Sequence, residues 1–299
     1  MQFVLLHYHI LKNAGTTVEN ILDHNFGPGF AKLDSPDPNA QVGNAALLSF
    51  LDRNPHIRAI SSHQTCYPRP EAPDRMFFDL CFLRDPIERI RSLYDDFRRR
   101  PPAGDPVIDL ARQSGPGEFV AQLLARHPHF VNNPQVLLLA NRGVYDHPPG
   151  KADLHRAIDT MLKMSFVGVV DAFNESWVAG QYFLSPVFPI LDCAAVPANG
   201  SSSGSGDSAP KADRFRAACG KRLYAQLRGL SALDYELVGR ARSEVRRRFN
   251  LTPDHATRLR TLEDRIMSLT GTARPSRFGI GQSVERWARA WLPPNSFLE

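Results

Sequence analysis

Lys12-Asn13-Ala14-Gly15-Thr16-Thr17 gathers a cation, an amide, a glycine and two hydroxyls between an apolar run and an amphipathic one. A glycine-containing turn that leads into a helix points main-chain N–H groups along the helix axis, and the helix dipole adds positive potential there. Such a turn binds phosphate or sulfate, and Lys12 adds a full charge. Thr16 and Thr17 can act in either of two ways, by capping free N–H groups or by donating hydroxyl hydrogen bonds to anion oxygens. A second polar group is Arg84-Asp85-Pro86 with Ser92 further along. The guanidinium can grip a phosphate with two parallel charge-assisted bonds, and a serine two helical turns on can add its hydroxyl from the same face. Read alone, the same residues also suit a local Arg84–Asp85 ion pair beside a solvated serine. The third candidate is His63, at the end of Ser61-Ser62-His63. A neutral imidazole there can take a proton from a hydroxyl, a step that typically contributes about 10²–10⁴-fold in rate, or it can be a hydrogen-bonded structural histidine.

The triphosphatase P-loop places its lysine after the last glycine, whereas Lys12 precedes Gly15 and the first glycine is missing. That reading fails. The segment His9-Ile10-Leu11-Lys12-Asn13-Ala14-Gly15-Thr16-Thr17 instead resembles the 5′-phosphosulfate loop of sulfotransferases that use 3′-phosphoadenosine-5′-phosphosulfate (PAPS). The likeness is to the carbohydrate type related to heparan sulfate 2-O- and 6-O-sulfotransferases, whose usual form is Pro-Lys-Thr-(Gly/Ala)-Gly-Thr-Thr. Here Leu11 replaces the proline and Asn13 the first threonine, and an asparagine amide can still donate to an anion oxygen. Cys81-Phe82-Leu83-Arg84-Asp85-Pro86-Ile87-Glu88-Arg89-Ile90-Arg91-Ser92-Leu93-Tyr94 is similar to the family's 3′-phosphate segment. Looser similarity runs through Asn133-Pro134-Gln135, Phe166 to Ser176 and Leu233-Asp234-Tyr235-Glu236-Leu237. The resemblance implies a P-loop-like three-layer α/β/α fold. It implies PAPS as co-substrate, bound by Lys12, Asn13, Ala14, Gly15, Thr16, Thr17, Arg84 and Ser92, with His63 as base and Lys12 stabilising the leaving oxygen. It also implies a hydroxyl-bearing acceptor of the carbohydrate class and no metal.

The elements that must position these groups follow from hydrophobic periodicity. Phe3 to Ile10 is almost continuously apolar, as in a strand buried on both faces, and Val18, Ile21 and Leu22 recur at helical spacing until Gly27-Pro28-Gly29. A short helix over Asn44 to Leu51 precedes a strand over Ile57 to Ser61. A strand over Phe77 to Leu83 leads into a helix opened by Pro86, which suits a first helical turn. Phe166 to Val170 is the fourth strand, with a helix from about Asn174. Strands alternating with helices point to an α/β fold whose central, mainly parallel sheet is covered on both faces. Helices run on through Arg248 and beyond, interrupted by a Ser/Gly-rich stretch near 197–212 that reads as a flexible insertion. The division expected is a main domain over 1–250 and a helical C-terminal extension over 251–299, with Val284, Trp287 and Trp291 on one face.

Composition constrains the function classes only loosely. At 299 residues and 42% hydrophobic the chain can bury one large core, and a net charge of +5 suits an anionic ligand without identifying it. Cys66, Cys81, Cys193 and Cys219 lack metal-ligand or disulfide spacing and read as buried thiols. No apolar run reaches the roughly 20 residues of a membrane span, so a cytoplasmic protein is expected. The basic runs Arg98-Arg99-Arg100 and Arg246-Arg247-Arg248 read as solvated helix ends before nucleic-acid contacts, and no nucleic-acid partner is expected. Two other functions fit the same residues: an ATP- and Mg²⁺-dependent phosphotransferase with a degenerate P-loop, and a non-catalytic polyanion-binding protein with steep salt dependence.

Overall fold

The computed structural model describes residues 1–37, 40–102, 104–196 and 211–271. Five parallel strands form one sheet in the order β2-β3-β1-β4-β5: β1 Gln2–Tyr8, β2 Phe30–Lys32, β3 Ala59–Ser62, β4 Arg75–Leu83 and β5 Phe166–Val169. β1 lies at the centre, with Leu6 opposite Ile60 on one side and Asp79 on the other. Alternate residues of each inner strand feed different cores, as strand geometry requires. Val4, Leu6 and Tyr8 of β1, with Cys81 and Leu83 of β4, pack against helices α2 (Asn44–Arg53), α6 (Pro134–Asn141), α7 (Lys151–Lys163) and α10 (Ala232–Leu251). Leu5, Leu80, Phe82 and Phe166 pack on the other face against α1 (Gly15–Phe26), α8 (Phe173–Leu184) and α11 (His255–Thr270). The result is the expected three-layer α/β/α arrangement. Each such side chain fully removed from water contributes about 1.5–3 kcal/mol.

A third apolar cluster builds α3 (Pro86–Arg99) into a lateral bundle with α4 (Pro106–Gln113), α5 (Pro116–Arg126) and α9 (Lys211–Leu230). Ile90, Leu93 and Phe97 of α3 are buried there. Asp85 caps α3 by accepting hydrogen bonds from the N–H groups of Ile87 at 3.0 Å and Glu88 at 3.1 Å, and Pro86 occupies the first turn. The Asp85 carboxylate is therefore committed to the helix rather than to Arg84.

Several boundaries differ from the sequence reading, and one strand was not foreseen. β3 starts at Ala59 because the Ile57 N–H is held in the preceding turn by Asn54 O. β5 stops at Val169 because Val170 opens a single 3₁₀ turn into α8. β2 went unforeseen; its three residues are a strand only because β3 pairs with them. Of the expected flexible insertion, residues 197–210 lie outside the described part, while α9 begins at Lys211. The segment after residue 250 is helical over α11, which buries Leu262 in the second core. Val284, Trp287 and Trp291 lie outside the described residues. Cys81, Cys193 and Cys219 are buried free thiols, whereas Cys66 is partly exposed. No helix among the described residues is long and apolar enough to cross a membrane.

Candidate functional site

β3, β1 and β4 are neighbours and all run the same way, so the loops leaving their carboxyl ends open on one edge of the sheet. The chain fills the sheet on one side of β1 before crossing to the other. A crevice at such a switch point is where open α/β sheets take ligands. The loop 9–14 follows β1, His63 follows β3, and Arg84 follows β4.

Two residues of the first loop, Lys12 at φ 67° and Ala14 at φ 63°, lie in the left-handed region. For non-glycine residues this conformation costs on the order of 1–3 kcal/mol each and persists only where surroundings hold it. Here Arg84 Nη1 donates to Lys12 O at 2.9 Å. Asn13, fully buried, donates its side-chain amide to Phe82 O at 2.8 Å and to Gln135 Oε1 at 2.8 Å. Ala14 stands at the N-cap of α1 without a capping side chain. The amide N–H groups of Gly15 and Thr16 consequently have no acceptor among the described residues, which leaves them available at the helix start. Thr16 is exposed beside it and Thr17 is buried.

Asn13 corrects an expectation. Both amide hydrogens of its side chain point inward, and its main-chain N–H bonds to Ile10 O at 3.1 Å, so it fixes the loop instead of facing an anion. Lys12 Nζ lies 3.3 Å from Asp96 Oδ1 of α3. Burial lowers the lysine pKa, and Asp96 partly offsets that. Ser92 sits one turn before Asp96 on the same face of α3 and makes no hydrogen bond among the described residues. Burial likewise lowers the Arg84 pKa, although a guanidinium stays charged.

Gln135, at 0% exposure, joins the two loops. Its Oε1 accepts from Asn13 and from Arg84 N–H at 2.9 Å, while its Nε2 donates to Arg84 O at 2.9 Å and to Asp234 Oδ2 at 3.3 Å. Asp234, also fully buried, accepts from Val136 N–H at 2.8 Å, and its own N–H donates to Asn133 Oδ1 at 2.9 Å. Burial raises the Asp234 carboxyl pKa against the opposing pull of Arg89. The segments around Gln135 and Asp234 were visible in the sequence only as loose similarity, without a role.

His63 Nδ1 lies 2.9 Å from His9 O. A carbonyl only accepts, so Nδ1 carries the hydrogen and Nε2 keeps its lone pair, the tautomer a general base needs. Asp34 Oδ1 accepts from His63 N–H at 2.8 Å and from Ser62 Oγ at 2.9 Å, which pins the strand end. Partial desolvation first, then the neighbouring His9, lower the His63 pKa, with Asp34 opposing. The lowered pKa favours the neutral imidazole, and the residue remains exposed to solvent.

The two basic runs separate. Arg247 and Arg248 pair with Glu244 one turn earlier. Arg100 pairs with Asp96, while Arg98 and Arg99 line a cavity of about 680 Å³ with Arg91, Arg214, Tyr94 and Phe215. Among the described residues no cluster of three or more His, Cys, Asp or Glu could hold a metal ion. No protein-family model matches the chain. An uncharacterized protein of Archaeoglobus fulgidus is similar to it, 26% identical over 203 residues that cover 66% of this chain and 79% of that protein.

Proposed function

We propose that the chain is a PAPS-dependent sulfotransferase acting on an acceptor hydroxyl, in the carbohydrate class by the resemblance of its two anchor segments. The observation that carries this reading is the Arg84 Nη1 bond to Lys12 O, which ties the 3′-phosphate candidate to the phosphosulfate candidate. An anion loop and a separate phosphate-gripping arginine, joined at one sheet edge, suit a nucleotide with anions at both ends.

In this reading the phosphosulfate lies against the Gly15 and Thr16 amides and Lys12, and the 3′-phosphate against Arg84 and Ser92. The acceptor oxygen forms a bond to sulfur as the bond from sulfur to the bridging phosphate oxygen breaks. His63 Nε2 takes the acceptor proton. Lys12 and the helix start stabilise the charge left on the phosphate, and 3′-phosphoadenosine 5′-phosphate departs.

The test compares thermal stabilisation by 3′-phosphoadenosine 5′-phosphate with that by ATP–Mg²⁺. A ligand at 100 times its Kd adds about 2.7 kcal/mol. The adenosine bisphosphate should stabilise the wild type, and Arg84→Ala or Ser92→Ala should reduce the effect. His63→Ala should keep the binding and slow sulfuryl transfer by about 10²-fold or more. Stabilisation by ATP–Mg²⁺ alone would replace this function with phosphoryl transfer.

A further inference from the structure

Behind His63 stands a set of ionisable side chains that the proposed transfer does not use. The rings of His7 and His9 stack with centroids 5.3 Å apart, and His9 and His63 stack at 3.7 Å with 29° between planes. Glu19, one turn into α1 and 7% exposed, faces this stack. Its Oε1 accepts from His9 Nδ1 at 2.9 Å and from Ser61 Oγ at 3.0 Å, and its Oε2 pairs with Lys32 Nζ at 2.5 Å. Ser61 in turn bonds His7 Nδ1 at 2.9 Å. A carboxylate this buried persists only when fully partnered.

We propose that Glu19 and His9 form a positioning pair for His63, the carboxylate orienting His9 and His9 holding both the plane and the tautomer of the base. This rests on the reading of His63 as base. Glu19 fixes the His9 ring by taking its Nδ1–H. The stacked face of His9 then confines His63 to one plane, and His9 O takes the His63 Nδ1–H. The His9 main chain is fixed as well, its N–H donating to Ser62 O at 2.8 Å. On its other edge, His9 Nε2 would lie only 1.8 Å from a Cβ placed on Gly15, so the same ring touches the first residue of the anion loop helix. His9 thus packs between His63 and the first residue of α1. The charged and titratable groups around the stack are His7, Glu19, Lys32 and Asp34. The lowered His63 pKa agrees with this arrangement, since after desolvation the largest contribution comes from His9.

The experiment uses the full chain with ¹⁵N-labelled histidine, reading tautomer and titration midpoint from long-range ¹H–¹⁵N spectra, together with kcat and KM where transfer is measurable. In the wild type, His63 should carry its hydrogen on Nδ1 and titrate below its ordinary value. His9→Asn keeps a donor toward Glu19 but loses the ring. It should move the His63 midpoint upward, mix its tautomers and lower kcat about tenfold, with the nucleotide KM within twofold. Glu19→Gln, which retains an amide in place of the carboxylate, removes a charge that favours protonated His63 and should mix the tautomers while moving the midpoint slightly downward. An unchanged His63 tautomer and midpoint in both variants overturns the proposal, whatever the activity. A wild-type chain that shows the coupling yet binds no adenosine bisphosphate supports the pair and refutes the sulfotransferase reading instead.

Discussion

Replacing Gln135 by leucine deletes a side chain that touches no ligand in the proposed site, and it should weaken nucleotide binding nonetheless. The substitution removes four hydrogen bonds: those to Asn13, Arg84 N–H, Arg84 O and Asp234. The losses are unequal. Asn13 keeps Phe82 O, and Asp234 keeps Val136 N–H. Arg84 loses the partners of both its main-chain groups, in a pocket where Gln135 itself is inaccessible to water. An orphaned buried group costs about 1–3 kcal/mol, so two cost about 2–6, partly offset by leucine's apolar burial. A net loss of about 3 kcal/mol is expected from urea unfolding, within the 5–15 kcal/mol typical of a domain, so the variant folds. With Arg84 freed from its strand end, thermal stabilisation by 3′-phosphoadenosine 5′-phosphate should require roughly tenfold more ligand, equivalent to about 1.4 kcal/mol. Gln135→Glu retains an acceptor but sets a second carboxylate beside Asp234 and should fare no better. A stability loss under about 1 kcal/mol with unchanged nucleotide binding refutes the claim that Gln135 couples the two loops.

Two more outcomes follow from the same geometry. Gly15→Ala places a methyl group inside the His9 ring, which His7 and His63 prevent from simply turning aside, so overpacking of about 1–3 kcal/mol should lower the melting temperature by several degrees. An unchanged melting temperature would mean that the ring moves freely. Burial alone would raise the Glu19 pKa, but hydrogen bonds from His9 and Lys32 outweigh it and hold it at about 2, below its ordinary value of 4.5. A depressed carboxylate contributes stability that is complete above pH 4.5 and is lost as pH falls toward about 2; the shift corresponds to roughly 3 kcal/mol. Glu19→Gln should therefore flatten the acid limb of a stability–pH curve, and parallel wild-type and variant curves between pH 5 and 2.5 would exclude this role.

Local features were legible in the sequence and distant pairings were not. β1, β3, β4 and β5 could be located because strands buried on both faces read as continuous apolar runs. β2 could not, because Phe30-Ala31-Lys32 carries no periodic signal and is defined by its pairing with β3. Lys12, Gly15, Arg84 and His63 were legible for a similar reason, each lying at the end of a strand recognisable by itself. Asn13 misled because its type suits an anion loop, while its actual partner Gln135 lies 122 residues away. Glu19 carries no role in the sequence analysis; only the fold brings it against Lys32, Ser61 and His9. The sequence thus exposed the residues that follow strand ends and concealed those that hold them.

In the proposed site the charge arrangement also gives each cation a partner within the chain. A cation held in a partly buried crevice is costly unless a neutral or negative group stands in as its partner. Arg84 uses the carbonyl of Lys12 as that stand-in, a neutral acceptor that binds a guanidinium more weakly than a phosphate does. Lys12 uses Asp96, a full charge and a stronger competitor. Asp96 is not orphaned when Lys12 turns to an anion, because Arg100 holds its other oxygen at 2.7 Å. The cost of such an exchange would be confined to breaking one ion pair without stranding its carboxylate, and the Gly15 and Thr16 amides would add to what the proposed anion gains. Under the sulfotransferase proposal, affinity at this edge of the sheet would be set by the difference between two charge arrangements, with Asp96 on the losing side of the balance and Arg100 limiting the loss.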